Sequence, residues 1–166
     1  MTGDFREQRI EVNGLNLNTV QWGDPEQPSI VLLHGLRSNA HTWDRLAAEL
    51  QHRYHVVALD QRGRGASDWD AERRYYTQYY VDDLKQIVDA LQLRKFILLG
   101  HSMGGSNALV FSEQFPDRLR ALIIEDIGPE AGVQSGGTQR TKKELSTMPE
   151  KFDSRQSAHS WLNGIR

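Results

Sequence analysis

The chain has 166 residues, enough for one domain with a proper core, and its 20 basic against 22 acidic side chains leave it near neutral. That balance gives no electrostatic reason to expect nucleic acid or an anionic membrane as a partner. There is no cysteine, which excludes disulfides, thiol nucleophiles and thiolate metal sites. The first residues, Met-Thr-Gly-Asp-Phe-Arg-Glu, lack the apolar core of a signal peptide, and no run reaches membrane-spanning length. Neither an internal repeat nor a low-complexity tract occurs, and a soluble cytoplasmic protein is expected.

Residues 8–12 and 15–22 read as two strands joined by a tight turn at Asn13-Gly14. In the second, Leu15, Leu17 and Thr19 alternate with Asn16, Asn18 and Val20, a pattern expected of an edge strand. Past a loop marked by Gly23, Pro25 and Pro28, the continuous apolar run from Ser29 to His34 reads as a buried strand. The spacing of Trp43, Leu46, Ala47 and Leu50 predicts a helix over 41–51 with one buried face. A third apolar run, Tyr54 to Leu59, closes in Asp60-Gln61-Arg62-Gly63-Arg64-Gly65-Ala66-Ser67. A second helix is predicted over 77–91, with Thr77 as its cap and Tyr80, Leu84, Ile87, Val88 and Leu91 as its buried stripe. The cluster Tyr75, Tyr76, Tyr79 and Tyr80 either lines a pocket or buries a helix face.

The most informative stretch follows. Phe96 to Leu99 is a short apolar strand, Gly100-His101-Ser102-Met103-Gly104 turns within five residues, and a helix-permissive segment runs from Ala108 to Phe115 before Pro116 stops it. Strand, Gly-x-Ser-x-Gly, helix is the signature of a nucleophile elbow, in which a serine sits on a strained turn with its hydroxyl exposed. Gly100 and Gly104 flank the turn because side chains there would collide with the neighbouring strand and helix. Arg120 to Asp126 reads as a further buried strand leading into Ile127-Gly128-Pro129. Strands alternating with helices predict an α/β fold, a mostly parallel sheet with flanking helices. After Pro129 the composition turns polar: Arg140, Lys142 and Lys143 read as a solvated face, and a short helix is predicted over 154–163.

Three stretches thus end three predicted parallel strands: His34-Gly35-Leu36, Asp60 to Ser67, and Gly100 to Gly105. Their order and spacing resemble the α/β-hydrolase superfamily, specifically its compact capped serine esterases, over residues 8–129. The resemblance implies that Ser102 is the nucleophile and that the backbone N–H groups of Leu36 and Met103 form the oxyanion hole. It assigns supporting roles to His34, Gly35, Gly100, His101 and Gly104, and a structural turn to Asp60 and Arg62. It implies neither a metal nor an organic cofactor. Gly63-x-Gly65 lacks the third glycine of a dinucleotide-binding loop and is not read as a phosphate cradle. The family's order is Ser, then Asp or Glu, then His. Asp126 is the candidate acid; a turn-capping role for it, or an acid beyond residue 166, are the alternatives. Glu125 is second in line, but strand alternation points it to the other face.

The resemblance also says what these residues omit. The family's sheet has eight strands, of which the first six are read here, and its histidine follows the last strand. Of the histidines, only His159 follows the candidate acid, and it lies in a predicted cap helix rather than after a strand. The expectation is therefore a core over 1–129 truncated after about six strands, with 130–166 as the start of a helical cap. The implied partners are a small-molecule ester or acyl substrate and a complementary C-terminal polypeptide of the same protein. The implied activity is that of a serine esterase once completed, this chain alone being inactive. A hydrolase-fold binding protein or inactive paralogue, and a cofactor-free perhydrolase or carbon–carbon bond hydrolase, are the alternatives. Serine at the elbow argues against the dehalogenase and epoxide-hydrolase relatives, which carry aspartate there.

Overall fold

The apolar runs become the centre of a six-stranded sheet in the computed structural model, which describes residues 4–128, 146–149 and 151–164. Strands β1 (Phe5–Val12), β2 (Leu15–Trp22), β3 (Ser29–Leu33), β4 (His55–Leu59), β5 (Phe96–His101) and β6 (Leu119–Glu125) lie in the order β1-β2-β4-β3-β5-β6. The first two form a hairpin through Asn13 and Gly14, both at positive φ as the tight turn requires. β2 runs antiparallel to β4, and β4, β3, β5 and β6 are mutually parallel.

Alternation along the parallel strands serves both faces. Val31, Leu33, Val57, Leu59, Phe96 and Leu98 pack with helices α2 (Thr77–Ala90) and α3 (Met103–Gln114). On the other face, Ile30, Leu32, Val56 and Ala58 meet Trp43 and Ala47, which belong to α1 (Asp44–Leu50) and the 3₁₀ turn before it. Burial on both faces is why these strands read as continuous apolar runs.

Three details differ from the sequence reading. β2 is an interior strand, not an edge; β1 is the edge. Three polar residues of β2 are buried because each has a partner: Asn18 donates to Asp60 Oδ2 at 3.1 Å, Thr19 to the Gln8 carbonyl at 3.1 Å, and Gln21 to Thr19 Oγ1 at 2.9 Å. Thr77 does not cap α2, whose N-cap position is held by extended Tyr76 without a side-chain bond. Helix α3 starts at Met103, well before the predicted 108, because burial of Gly104 and Gly105 against the sheet overrides their poor helix propensity.

β6 is the opposite margin of the sheet, and Ile123 on it is 44% exposed. The chain divides into two compact units, Met1–Pro129 and Glu130–Arg166. In the second, α4 (Arg155–Gly164) is entered through Ser154, whose Oγ accepts from the Ser157 N–H at 3.1 Å, and Phe152 packs on Trp161. The cluster Arg140, Lys142 and Lys143 lies outside the described residues. No helix among the described residues is long and apolar enough to cross a membrane.

His55 makes the stability of this sheet pH-dependent. Its Nε2 lies 3.1 Å from both Arg6 Nη2 and Gln21 Oε1, and its Nδ1 is buried without a partner. Burial first, and the Arg6 charge second, push its pKa down from the usual 6.5 to about 4. Between those values the unfolded chain binds a proton that the native chain refuses, so stability is complete above 6.5 and falls as pH drops towards 4. Urea midpoints measured at pH 7 and pH 5 should differ in the wild type, and His55→Gln should remove most of that difference.

Candidate active site

The sheet order reverses between β3 and β5: β4 lies to one side of β3 and β5 to the other. The carboxyl end of such a switch point is where α/β sheets leave a crevice for a ligand. His34, Gly35 and Leu36 leave β3 there, and Ser102 leaves β5.

Ser102 is held at φ 51°, ψ −114°, a conformation that costs a non-glycine residue about 1–3 kcal/mol. Its N–H donates to the Glu125 carbonyl at 2.9 Å, and its carbonyl accepts from the Ser106 N–H at 3.0 Å. One residue is thereby tied to both β6 and α3. Two glycines make the turn possible. A Cβ on Gly104 would strike the Leu33 carbonyl and lie 2.8 Å from the His34 oxygen; one on Gly100 would strike the Gly104 carbonyl. Gly35 leaves room for the His101 ring, whose Nδ1 lies 2.6 Å from where its Cβ would stand.

Leu36 follows the His34-Gly35 turn that leaves β3, and Met103 directly follows Ser102 where β5 gives way to α3. Met103 opens α3, so its N–H is one of the donors that no helical carbonyl can satisfy, at the positive end of the helix dipole. Leu36 follows Gly35 and is followed by Arg37 at φ 66°.

A buried hydrogen-bond chain fixes the loop that carries Leu36. His34 Nδ1 faces the Gly35 carbonyl at 2.8 Å, and its Nε2 accepts from the Gln61 N–H at 3.2 Å. Gln61 donates to the His34 carbonyl at 2.7 Å and accepts from Asn107 Nδ2 at 2.7 Å. All three side chains are buried, and together they tie the ends of β3 and β4 to the second turn of α3. Burial, the main cause, pushes the His34 imidazole below its ordinary pKa, consistent with an Nε2 that accepts. Both its nitrogens are engaged, and its role is structural.

Asp60 shapes the neighbouring loop. Its carboxylate accepts from the N–H groups of Ala40 at 2.6 Å and Ala66 at 2.9 Å, and it fills the space a side chain on Gly65 would need. Arg62 is 1% exposed and forks onto Asp83 at 2.6 and 2.7 Å while reaching Asp70 at 2.9 Å. The hydrogen bond from Arg74 holds the Asp70 carboxyl well down, to about 2. Arg62 and Arg74 both stack on Tyr79, and the Tyr75 hydroxyl accepts from the Asp70 N–H at 2.9 Å. Of the tyrosine cluster only Tyr80 is buried in α2; Tyr76 is 73% exposed.

Asp126 follows β6 at φ 62°, one residue after the Glu125 carbonyl that Ser102 N–H reaches, with its side chain largely exposed. The nearest basic group to its Oδ2 is His101 Nε2 at 3.6 Å. Glu125, one residue earlier, pairs in register with His101. His159 belongs to α4 in the second unit, where it faces Asn163. Among the described residues no three His, Asp or Glu side chains converge as a metal site.

A family model described as the α/β-hydrolase fold matches residues 28–152. The chain belongs to that family. It is 35% identical over 117 residues to mouse epoxide hydrolase 4, covering 70% of this chain and 33% of that protein. It is 26% identical over 160 residues to a Mesorhizobium japonicum 2-(acetamidomethylene)succinate hydrolase, covering 96% of this chain and 56% of that protein. Among solved structures it matches the thioesterase domain from the curacin biosynthetic pathway at a TM-score of 0.74 and 26% identity, over 89% of this chain and 54% of that one. An α/β hydrolase from Novosphingobium aromaticivorans matches at a TM-score of 0.76 and 26% identity, over 86% and 50% of the two chains. The chain spans between a third and just over half of the length of these curated relatives.

The contact between α3 and β3 is testable by substitution. Gly104→Ala forces a methyl group into the Leu33 backbone and should cost about 3 kcal/mol or more, or prevent folding. Gly128→Ala, with nothing within 4 Å, should leave the urea midpoint unchanged.

Proposed function

We propose that the complete protein is a serine hydrolase that cleaves an ester or related acyl substrate through an acyl-enzyme on Ser102. The observation that carries this reading is the strained serine at the β5–α3 junction, held at φ 51° and ψ −114°. Ser102 Oγ attacks the carbonyl carbon while its proton passes to a histidine base. Negative charge then grows on the former carbonyl oxygen, and two preorganised N–H donors, those of Leu36 and Met103, stabilise it. Losing one such donor costs on the order of 3 kcal/mol. The leaving group takes the proton, and water activated by the same histidine releases the acid.

Asp126 is proposed as the acid that orients this histidine. Like Ser102 it has a positive φ, and it keeps an exposed carboxylate just after the adjacent strand. The base itself is proposed to come from a complementary C-terminal polypeptide of the same protein, which would pair with β6 and carry the remaining strands. Residues 130–166 are read as the start of a cap. His34 has both ring nitrogens committed and His101 packs against Gly35, so neither fits the role. The reading calls for no metal or organic cofactor.

The relatives' names cover several bonds, so only the broad hydrolytic class carries over from them. Serine at position 102 favours acyl transfer over epoxide opening by an aspartate. A hydrolase-fold binding protein that keeps the turn as scaffold is the second reading, favoured by the same structural devotion of His34 and Asp60. A cofactor-free perhydrolase or carbon–carbon bond hydrolase would use the same serine.

Labelling with a fluorophosphonate probe separates enzyme from binding protein. The expected result is labelling that needs both Ser102 and the C-terminal polypeptide, and that Ser102→Ala abolishes. Absence of labelling in a folded, complete protein would favour the binding reading. Labelling of this chain alone would place the base within its own residues.

A further inference from the structure

At the opposite end of the sheet, a cleft of about 840 Å³ opens beside the amino ends of β3, β5 and β6. Its walls are the Pro25–Ser29 loop, the Leu91–Lys95 loop and Arg120. Its charged side chains are Arg94, Lys95 and Arg120 against one carboxylate, Glu26. None of the three cations has a hydrogen-bond or ion-pair partner for its side chain among the described residues. Their neighbours Lys85 and Arg118 are paired with Asp89. A cleft with three cations against one carboxylate, on a chain of formal net charge −2, is not a consequence of overall composition.

Two features of the backbone build this arrangement. The β5–β6 ladder slips by one residue, Phe96 pairing with Leu119 and Ile97 with Ala121, so Arg120 is the extra residue of a bulge. The bulge brings Leu119 and Leu122, three apart in sequence, onto the same core cluster and takes Arg120 out of the pairing. On the facing loop, Arg118 donates to the carbonyls of Leu93 at 2.8 Å and Arg94 at 3.0 Å, and its remaining nitrogen binds Asp89 at 2.7 Å. The backbone of the loop bearing Arg94 and Lys95 is therefore held by a neutralised clamp, which keeps both residues at the cleft wall.

We propose that this cleft binds a small polyphosphorylated anion, at a site separate from the one containing Ser102. The size is that of a small-molecule site. Cations contributed from two separate segments match a ligand with at least two phosphoryl groups, one facing the 94–95 loop and the other Arg120. Arginine suits phosphate because its fork donates in pairs. The concave shape and the acidic whole-chain charge argue against nucleic acid, which needs an extended basic surface. The proposed hydrolysis at the carboxyl ends of the strands uses none of these residues.

The test is isothermal titration calorimetry of the full chain with inorganic diphosphate at low ionic strength. The expected result is a dissociation constant below about 1 mM that weakens as salt is added. Arg94→Gln and Arg120→Gln should each weaken it by about tenfold, as for a charge-assisted contact. Both side chains are exposed, so the circular dichroism spectrum should be unchanged. Arg53→Gln, exposed but off the cleft, should bind as the wild type does. Binding weaker than about 1 mM, unchanged affinity in the two cleft variants, or an equal loss in Arg53→Gln would overturn the proposal.

Discussion

The structure depends on one close approach: the first turn of α3 lies directly on the end of β3, with the Leu33 carbonyl where a Gly104 side chain would be. That contact sets where the helix begins and so forces Ser102 into its strained conformation. The cost, about 1–3 kcal/mol, is offset by packing around it. Gly104, Gly105, Ala108 and Phe111 are all buried on the same helix. Strain at Ser102 is thus a by-product of burying α3, and it leaves the serine presented at the edge of the crevice.

A second layer of constraint surrounds the turn. The His34–Gln61–Asn107 chain couples the loop bearing Leu36 to the helix bearing Met103. The Arg62 cluster does the same for the loop after β4. Buried ion pairs seldom add net stability, but removing one partner leaves an uncompensated charge at a cost of about 3–5 kcal/mol. The fork from Arg62 to Asp83, its contact to Asp70 and the Tyr79 ring beneath it make that loop rigid rather than more stable. Preorganisation of this kind is what a site must have if backbone donors are to meet a developing charge.

The parallel strands and the serine turn were legible in the sequence because both carry strong local signals. Strands buried on both faces leave unbroken apolar runs, and a turn this tight demands glycine at fixed positions. Polar residues were harder to place. The alternation of Asn16 and Asn18 with Leu15 and Leu17 made β2 look like an edge, because the partner that satisfies buried Asn18, Asp60, is distant in sequence. Asp83 sits on the buried stripe of α2 only because Arg62, twenty-one residues earlier, neutralises it there. Gln61 and Asn107 carried no signal that would distinguish them from surface residues. Thr77 looked like a cap by type, yet the extended residue at the helix entrance is Tyr76. The bulge at Arg120 was equally hidden, since the run from Arg120 to Asp126 gives no hint of a register slip.

A crystal structure of the phosphonylated protein would show whether Ser102 faces the Leu36 and Met103 amides, as proposed. The account predicts phosphorus on Ser102 Oγ, with one phosphonyl oxygen about 2.7–3.1 Å from both the Leu36 and Met103 nitrogens. The serine should keep its positive φ in that adduct. An oxygen turned to solvent, or an adduct on any other residue, would contradict the account.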